Sequence, residues 1–202
     1  IRLEAELGKK AHILFILDRS GSMYPIHADV VGGINQFLTS QQAAEGTADL
    51  TLVQFDHEIQ TVIDGVDIRF VAPYLTTDFE PRGSTALYDA MGISMDALAA
   101  KLTGLPETER PENVIVAVMT DGEENASEIY TFERLQRMIE HQRGFANWEV
   151  IFLASEPRTL EISRRMGVEE STSQQWSKDA AGTHEAFAMM NAKIMDVRGR
   201  KT

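Results

Sequence analysis

The stretch ILFILDRSGS, from Ile13 to Ser22, decides the fold of this chain. Its first half is a continuous apolar run that ends at Leu17, and its second half is a polar turn that begins at Asp18. A short apolar run of this kind is typical of a parallel strand buried on both faces of a sheet. We therefore predict a central strand that delivers polar side chains to the carboxyl edge of the sheet.

Similar signals recur along the chain. A second uniformly apolar run, Val114–Met119, ends at Thr120-Asp121-Gly122, and a third strand is predicted at 150–154. Residues 50–55 and 57–63 resemble two short strands with only Asp56 between them, which predicts a tight antiparallel hairpin at one sheet edge. Apolar residues at helical spacing predict helices near 26–42, 86–102, 132–139, 160–166 and 187–197.

This alternation of strands and helices predicts an α/β fold. We expect a three-layer, Rossmann-like, doubly wound sheet that is mostly parallel, with one antiparallel edge strand and helices on both faces. No internal repeat or linker divides the chain, so residues 1–202 are predicted to form a single domain with its core at about 11–198.

Composition excludes several classes of function. The 202 residues contain no Cys, which rules out disulfides, zinc fingers, iron–sulfur centres and thiol nucleophiles. The net charge of -12 makes nucleic acid an unfavourable partner, because the basic residues are scattered apart from Arg198, Arg200 and Lys201. Neither the Walker fingerprint nor Gly-x-Gly-x-x-Gly follows the first strand, so the sequence gives nucleotide binding no support.

The sequence carries little information about the cellular compartment of the protein. No apolar stretch approaches the roughly 18 residues that a transmembrane helix requires. The chain begins at Ile1 rather than Met, which leaves open the removal of a leader. With that reservation we predict a cytoplasmic location.

Three segments are predicted to bring oxygen donors to the carboxyl edge of the sheet. The first strand delivers Asp18, Ser20 and Ser22, the loop before the second helix delivers Thr85, and the 114–119 strand delivers Asp121. Carboxylate and hydroxyl oxygens suit Mg²⁺, Mn²⁺ or Ca²⁺ rather than zinc or copper. Few charges among these groups would leave a bound cation under-neutralised, so that waters or an incoming carboxylate could complete its shell.

The ordered trio Asp18-x-Ser20-x-Ser22, Thr85 within Gly83-Ser84-Thr85, and Asp121 within Thr120-Asp121-Gly122 resembles the metal-ion-dependent adhesion site of the von Willebrand factor type A family. The resemblance covers the chain from about Ala11 onward. It implies a cation held by Ser20, Ser22 and Thr85, with Asp18 and Asp121 binding directly or as hydrogen-bond acceptors. It also implies a partner protein that supplies a Glu or Asp. The family usually has Gly where this chain has Ser84.

Alternative interpretations remain open at this point. The Ser and Asp residues of the first turn could simply cap a helix, and Ser84 or Thr85 could cap the next one. The site could be empty in a purely structural domain. A Mg²⁺-dependent phosphohydrolase of the haloacid-dehalogenase-like type would use Asp18 as its nucleophile. Ser20, however, stands where such enzymes carry a second Asp that acts as general acid.

Other residues near these segments receive structural interpretations. We expect Glu123 and Glu124 to lie in a solvated loop, and the five histidines to have surface or packing roles. Met23 is expected either to pack under the serine turn or to join a contact surface. Exposed side chains at Arg19, Tyr24 and Arg82 are candidates for partner contact.

Overall fold

A computed structural model describes residues 10–200 of the chain. Its helices and strands alternate as the sequence predicts, and most are a few residues longer than their apolar patterns. The strands are β1 (Lys10–Asp18), β2 (Thr47–Phe55), β3 (Ile59–Asp67), β4 (Asn113–Thr120), β5 (Trp148–Ala154) and β6 (Ser173–Gln175). The helices are α1 (His27–Ala43), α2 (Leu87–Thr103), α3 (Phe132–Ala146), α4 (Pro157–Arg165) and α5 (Ala180–Gly199).

The six strands form one sheet in the order β3-β2-β1-β4-β5-β6. All neighbouring pairs are parallel except β2 and β3, which are antiparallel at the edge. This arrangement confirms the predicted fold class. The pattern did not predict β6, because its 3 residues are too few to show a period.

Helices cover both faces of the sheet, and β1 lies between two apolar layers. Phe15 and its same-face neighbours pack with Ile34 of α1 and Phe187 of α5. Ile16 points to the opposite face, where Met91 of α2 contributes to a second cluster together with residues of α3. A strand buried on both faces cannot alternate apolar and polar residues, which explains its uninterrupted apolar run.

Close approach between α1 and α5 depends on Gly33. A Cβ at this position would overlap the ring of Phe187, which also makes an edge-to-face contact with Phe15 at 6.1 Å between ring centroids. Helices α1 and α5 therefore pack closely against each other over β1. The polar turn that follows β1 begins next to this close-packed layer.

The predicted one-residue hairpin connection was wrong. The link between β2 and β3 runs from Asp56 to Glu58. The backbone N–H of Asp56 donates to the carbonyl of Glu58 (3.0 Å), and the N–H of Glu58 donates back to Asp56 Oδ1 (2.6 Å). These two bonds close a tight turn that keeps His57 out of the strand.

Only part of the C-terminal basic run lies within the described residues. Arg198 is buried and donates to the carbonyl and side-chain oxygens of Gln41, so it adds nothing to a basic surface. Both Ile1 and Lys201 lie outside the described residues. None of the helices between residues 10 and 200 combines the length and the hydrophobicity of a membrane span.

Buried His12 gives the fold a dependence on pH. Its ring contacts Thr51 Oγ1 at 2.9 Å, and burial lowers its pKa to about 4 against the opposing charge of Asp49. Between that value and its unfolded pKa of about 6.5, only the unfolded chain binds a proton at this residue. Stability from neutral His12 is therefore complete above pH 6.5 or so and falls as the pH drops toward 4.

We expect His12→Gln to reduce this dependence. Linkage predicts that the wild-type free energy of unfolding falls by up to about 2 kcal/mol more than that of the variant between about pH 7.5 and about pH 5. Urea unfolding at the two pH values measures the difference, with exposed His184→Gln as the control. Equal losses for wild type and His12→Gln would contradict the assignment.

Candidate cation site

The candidate site lies where the strand order reverses. β1 is the first strand within residues 10–200, and its neighbours are β2 on one side and β4 on the other. Asp18 is the last residue of β1, and Asp121 directly follows β4. Ligands of doubly wound sheets bind in the crevice at such a switch point, beyond the carboxyl ends of the strands.

Asp18 is fully buried, and both of its carboxylate oxygens accept hydrogen bonds. Oδ1 accepts from the backbone N–H of Ser20 (2.6 Å), and Oδ2 accepts from the hydroxyl of Thr120 (2.6 Å). The pKa of the Asp18 carboxyl is raised to about 6, mainly by burial and to a smaller extent by the nearby charge of Asp121. The hydrogen bonds from Thr120 and Ser20 oppose this shift without cancelling it. A positive charge in this crevice would offset the cost of holding two acids together.

A hydrogen-bonded chain of side chains links the serine turn to β4. The hydroxyls of Ser20 and Ser22 lie 3.0 Å apart, and the Ser22 hydroxyl donates to Asp121 Oδ1 at 2.7 Å. Ser20 is buried, whereas Ser22 is exposed to solvent. Ser20 occupies the cap position of a short 3-10 helix (Gly21–Ile26) without any side-chain cap hydrogen bond, so the capping alternative fails for Ser20.

Thr85 reaches the same place from the loop before α2. A Cβ built at Gly122 would lie 3.4 Å from Thr85 Oγ1 and 4.0 Å from Ser22 Oγ. The two hydroxyls therefore flank one point next to Asp121. The structure thus brings together all five predicted residues, namely Asp18, Ser20, Ser22, Thr85 and Asp121.

The α2 N-terminus is not capped by Ser84 or Thr85, so the capping alternative fails here as well. Instead the N–H of Thr85 donates to Asn125 Oδ1 (2.8 Å), and the N–H of Tyr88 donates to Glu124 Oε2 (2.9 Å). Glu124 does lie in a loop and is half-buried, but its carboxylate is engaged by backbone N–H groups, which the sequence did not predict. Because another loop takes over the capping, the Thr85 hydroxyl is not required for it.

The loop that carries Thr85 is tied to the serine turn through its backbone. Gly21 N–H donates to the carbonyl of Gly83 (3.2 Å), and Arg82 N–H donates to the carbonyl of Arg19 (2.8 Å). Gly83 has a φ of +67°, and a Cβ there would overlap the ring of His57. Glycine thus satisfies both the backbone conformation and the close approach.

Arg19 does not face solvent, contrary to expectation. It is 5% exposed, and its Nε donates to Asp56 Oδ2 at 3.0 Å. Half-exposed Arg82 donates to the same oxygen (3.0 Å). Burial alone would raise the pKa of Asp56, but the N–H of Glu58 and the two guanidinium groups outweigh it and hold the pKa below its usual range.

Asp56, His57 and Glu58 also form a group with three metal-binding atoms within 4.8 Å of one another. Arg19 and Arg82 already pair with the Asp56 carboxylate, and Arg82 also pairs with Glu58. The positive charges of these two guanidinium groups disfavour the binding of a metal ion at this group of residues. We therefore regard it as a structural cluster that supports the loop of the candidate site.

Two expectations for the serine turn are met. Met23 is fully buried beneath the turn, so its packing role is confirmed. Tyr24 is 73% exposed and faces solvent as predicted. The turn therefore has an anchored underside and an accessible outer face.

Sequence reasoning missed Lys178, whose Nζ lies 2.6 Å from Asp121 Oδ2. This residue follows β6 in the loop that leads to α5. No local pattern marks a single lysine in a polar loop, so only the tertiary structure could reveal the contact. Asp121 Oδ2 is buried, and within residues 10–200 the Lys178 ammonium is the charged group paired with it.

The residues present suit a hard divalent cation. Two carboxylates and three hydroxyls meet beside a glycine, and they include no sulfur or imidazole. The buried Oδ2 of Asp121 already lies 2.6 Å from a positive charge, the ammonium of Lys178, so this position of the site accommodates a cation. Oxygen donors of this kind favour Mg²⁺, Mn²⁺ or Ca²⁺.

Comparison with solved structures places this geometry in a known fold. A von Willebrand factor type A structure from Catenulispora acidiphila aligns with a TM-score of 0.61 and 17% identity, over 93% of this chain and 43% of that one. The pilus adhesin SpaC from Lactobacillus rhamnosus GG, in its open conformation, aligns at 0.62 and 14%, over 93% and 30%. Proximal thread matrix protein 1 from the mussel byssus, with a zinc-occupied adhesion-site motif, aligns at 0.61 and 14%, over 94% and 47%.

Identities this low establish the fold alone. The chain has the α/β fold of a von Willebrand factor type A domain, which confirms the resemblance at this level. It spans less than half the length of each of these three proteins. No protein-family model matches the sequence, and neither does any curated protein.

Proposed function

We propose that this protein is a binding module that uses a divalent cation to recognise an acidic group on a partner protein. The observation that carries the proposal is the convergence of Asp18, Ser20, Ser22, Thr85 and Asp121 at the sheet's switch point. Mg²⁺ is the expected cation, and Mn²⁺ or Ca²⁺ would suit the same oxygen donors.

The arrangement favours binding of a further carboxylate. Three of the five donors are neutral hydroxyls, so a divalent cation would keep part of its charge and attract a Glu or Asp from a partner. Ser22 is exposed, and the exposed Tyr24 lies beside it on the rim. A cation held by buried acids behind an accessible rim would give a partner's carboxylate a strong and oriented contact.

Names of the similar structures agree with this proposal. One is a pilus adhesin, and another is a matrix protein whose adhesion-site motif holds zinc. Because the motif of that protein holds zinc, the cation that this chain prefers has to be measured. The predicted cytoplasmic location and the absence of nucleic acid among its partners stay predictions.

The phosphohydrolase alternative is less favoured. Asp18 would have to attack phosphorus, but its carboxylate is fully buried and both oxygens accept hydrogen bonds, from Ser20 and Thr120. Ser20 cannot act as the general acid that a second Asp would provide. A Mg²⁺-dependent phosphatase activity that disappears in Asp18→Asn would restore this alternative.

A chelation experiment tests the proposed function. We expect immobilised protein to retain a partner from the source cell in Mg²⁺, to release it with EDTA and to recover it when Mg²⁺ is restored. Asp121→Ala should retain no partner, whereas Asp64→Ala, at an exposed ion pair with Lys101, should behave as wild type. Partner retention that is indifferent to EDTA and to Asp121→Ala would contradict the proposal.

A further inference from the structure

The side chain of Lys178 places a positive charge next to the candidate cation site. Lys178 Nζ is 2.6 Å from Asp121 Oδ2, and the lysine side chain is 32% exposed whereas the Asp121 side chain is fully buried. The other oxygen of this carboxylate accepts the hydroxyl of Ser22. The ammonium group thus pairs with the acid that joins β4 to the serine turn.

The backbone around Lys178 is held firmly in place. Trp176 donates from its backbone N–H to the carbonyl of Ala154 (3.1 Å) and from its indole Nε1 to the carbonyl of Thr120 (3.2 Å). On the other side, Asp179 caps α5 by accepting from Gly182 N–H at 2.7 Å. Lys178 is therefore anchored between two fixed points, and its long side chain is the part that can move.

An ammonium and a divalent cation have opposed effects at this carboxylate. A buried carboxylate oxygen requires a compensating charge, and Lys178 provides it in the structure. A divalent cation held by Ser22 and Asp121 would provide the same compensation. Two positive charges at adjacent positions repel each other strongly in a partly dry crevice. The Lys178 ammonium and a divalent cation therefore disfavour each other's binding to Asp121.

We propose that Lys178 is a tethered competitor of the divalent cation and sets the affinity of the site. In the metal-free protein its ammonium neutralises Asp121, and cation binding displaces it toward solvent. This inference rests on the proposed function and adds an exchange of charges to it. The site thereby keeps its buried acid compensated in both states.

Calorimetric titration with Mn²⁺ tests the competition directly. Lys178→Met removes the charge and keeps an unbranched side chain, so we expect it to bind Mn²⁺ at least about tenfold more tightly than wild type. Lys178→Arg keeps the charge and should stay near the wild-type affinity. Lys101→Met is the matched control, because it loses the same charge at an exposed pair with Asp64.

Thermal unfolding gives a second measurement that does not depend on a partner. In EDTA, Lys178→Met should melt below wild type, because Asp121 is left buried without a compensating charge. Saturating Mn²⁺ should remove that deficit. Lys101→Met should show no such dependence on Mn²⁺.

Three results would overturn the inference. If wild type binds Mn²⁺ and Lys178→Met binds it with the same affinity, the competition is absent while the proposed function stands. If neither protein binds a cation, the proposed function and the competition fail together. An equal gain of affinity in Lys101→Met would show a general effect of net charge and would also overturn the specific role of Lys178.

Discussion

Asp18→Ala is expected to weaken Mg²⁺ and Mn²⁺ binding by about a hundredfold, the upper end of what outer-shell partners of a metal contribute. The substitution removes a buried charge that faces Asp121 across the candidate site. It also removes the acceptor for Ser20 N–H and the Thr120 hydroxyl, which position the serine turn. Ser20→Ala should act in the same direction, since its hydroxyl contacts that of Ser22.

Calorimetry with both cations measures this effect, and circular dichroism checks that the variants fold. Asp18→Asn is the most informative variant, because it keeps the shape of the side chain and loses its charge. Asp64→Ala removes an exposed carboxylate that pairs with Lys101, so it controls for the change in net charge. A folded Asp18→Ala protein with wild-type affinity would exclude Asp18 from the cation site.

Asp56→Ala should cost about 3–5 kcal/mol of unfolding free energy, the usual effect of removing one member of a buried ion pair. Asp56 is fully buried and accepts from Arg19, whose own side chain is 7% exposed. Without the carboxylate, the Arg19 guanidinium would stay in the interior with its charge uncompensated. This loss would weaken the attachment between the serine turn and the β2–β3 turn.

Arg82→Ala provides the matched comparison for this prediction. Arg82 binds the same Asp56 oxygen, but its side chain is 46% exposed. Solvent screens an exposed pair, so this variant should lose less than about 1 kcal/mol. Urea unfolding of both variants measures the difference, and equal losses would mean that burial of the Arg19 pair contributes nothing special.

Much of the candidate site could be predicted from short segments of sequence. Asp18 and Asp121 each directly follow an apolar run, and that position alone assigns them to the carboxyl ends of two buried strands. Thr85 required the ordered trio, because a threonine before a helix is more often a cap. The structure brings these groups together, while their binding of a cation stays a prediction.

Two of the failed expectations concern contacts between distant segments. Arg19 was expected at the surface, yet it is buried against Asp56, which lies 37 positions away. Glu124 was assigned to a solvated loop, yet it caps the helix that begins at Leu87. Both side chains are charged, and the burial of Arg19 and the half-burial of Glu124 each depend on partners that only the chain's three-dimensional path brings to them.

The sequence by itself determined the alternation of buried strands and amphipathic helices, and with it the edge of the sheet where the oxygen donors gather. Periodicity and apolar runs are local, so they can be read without knowing what packs against them. Only the tertiary structure decided which charges meet at that edge, including Lys178 on Asp121 across 57 positions of chain. Such pairings depend on distance in space, because a charge interacts with whatever the fold places beside it.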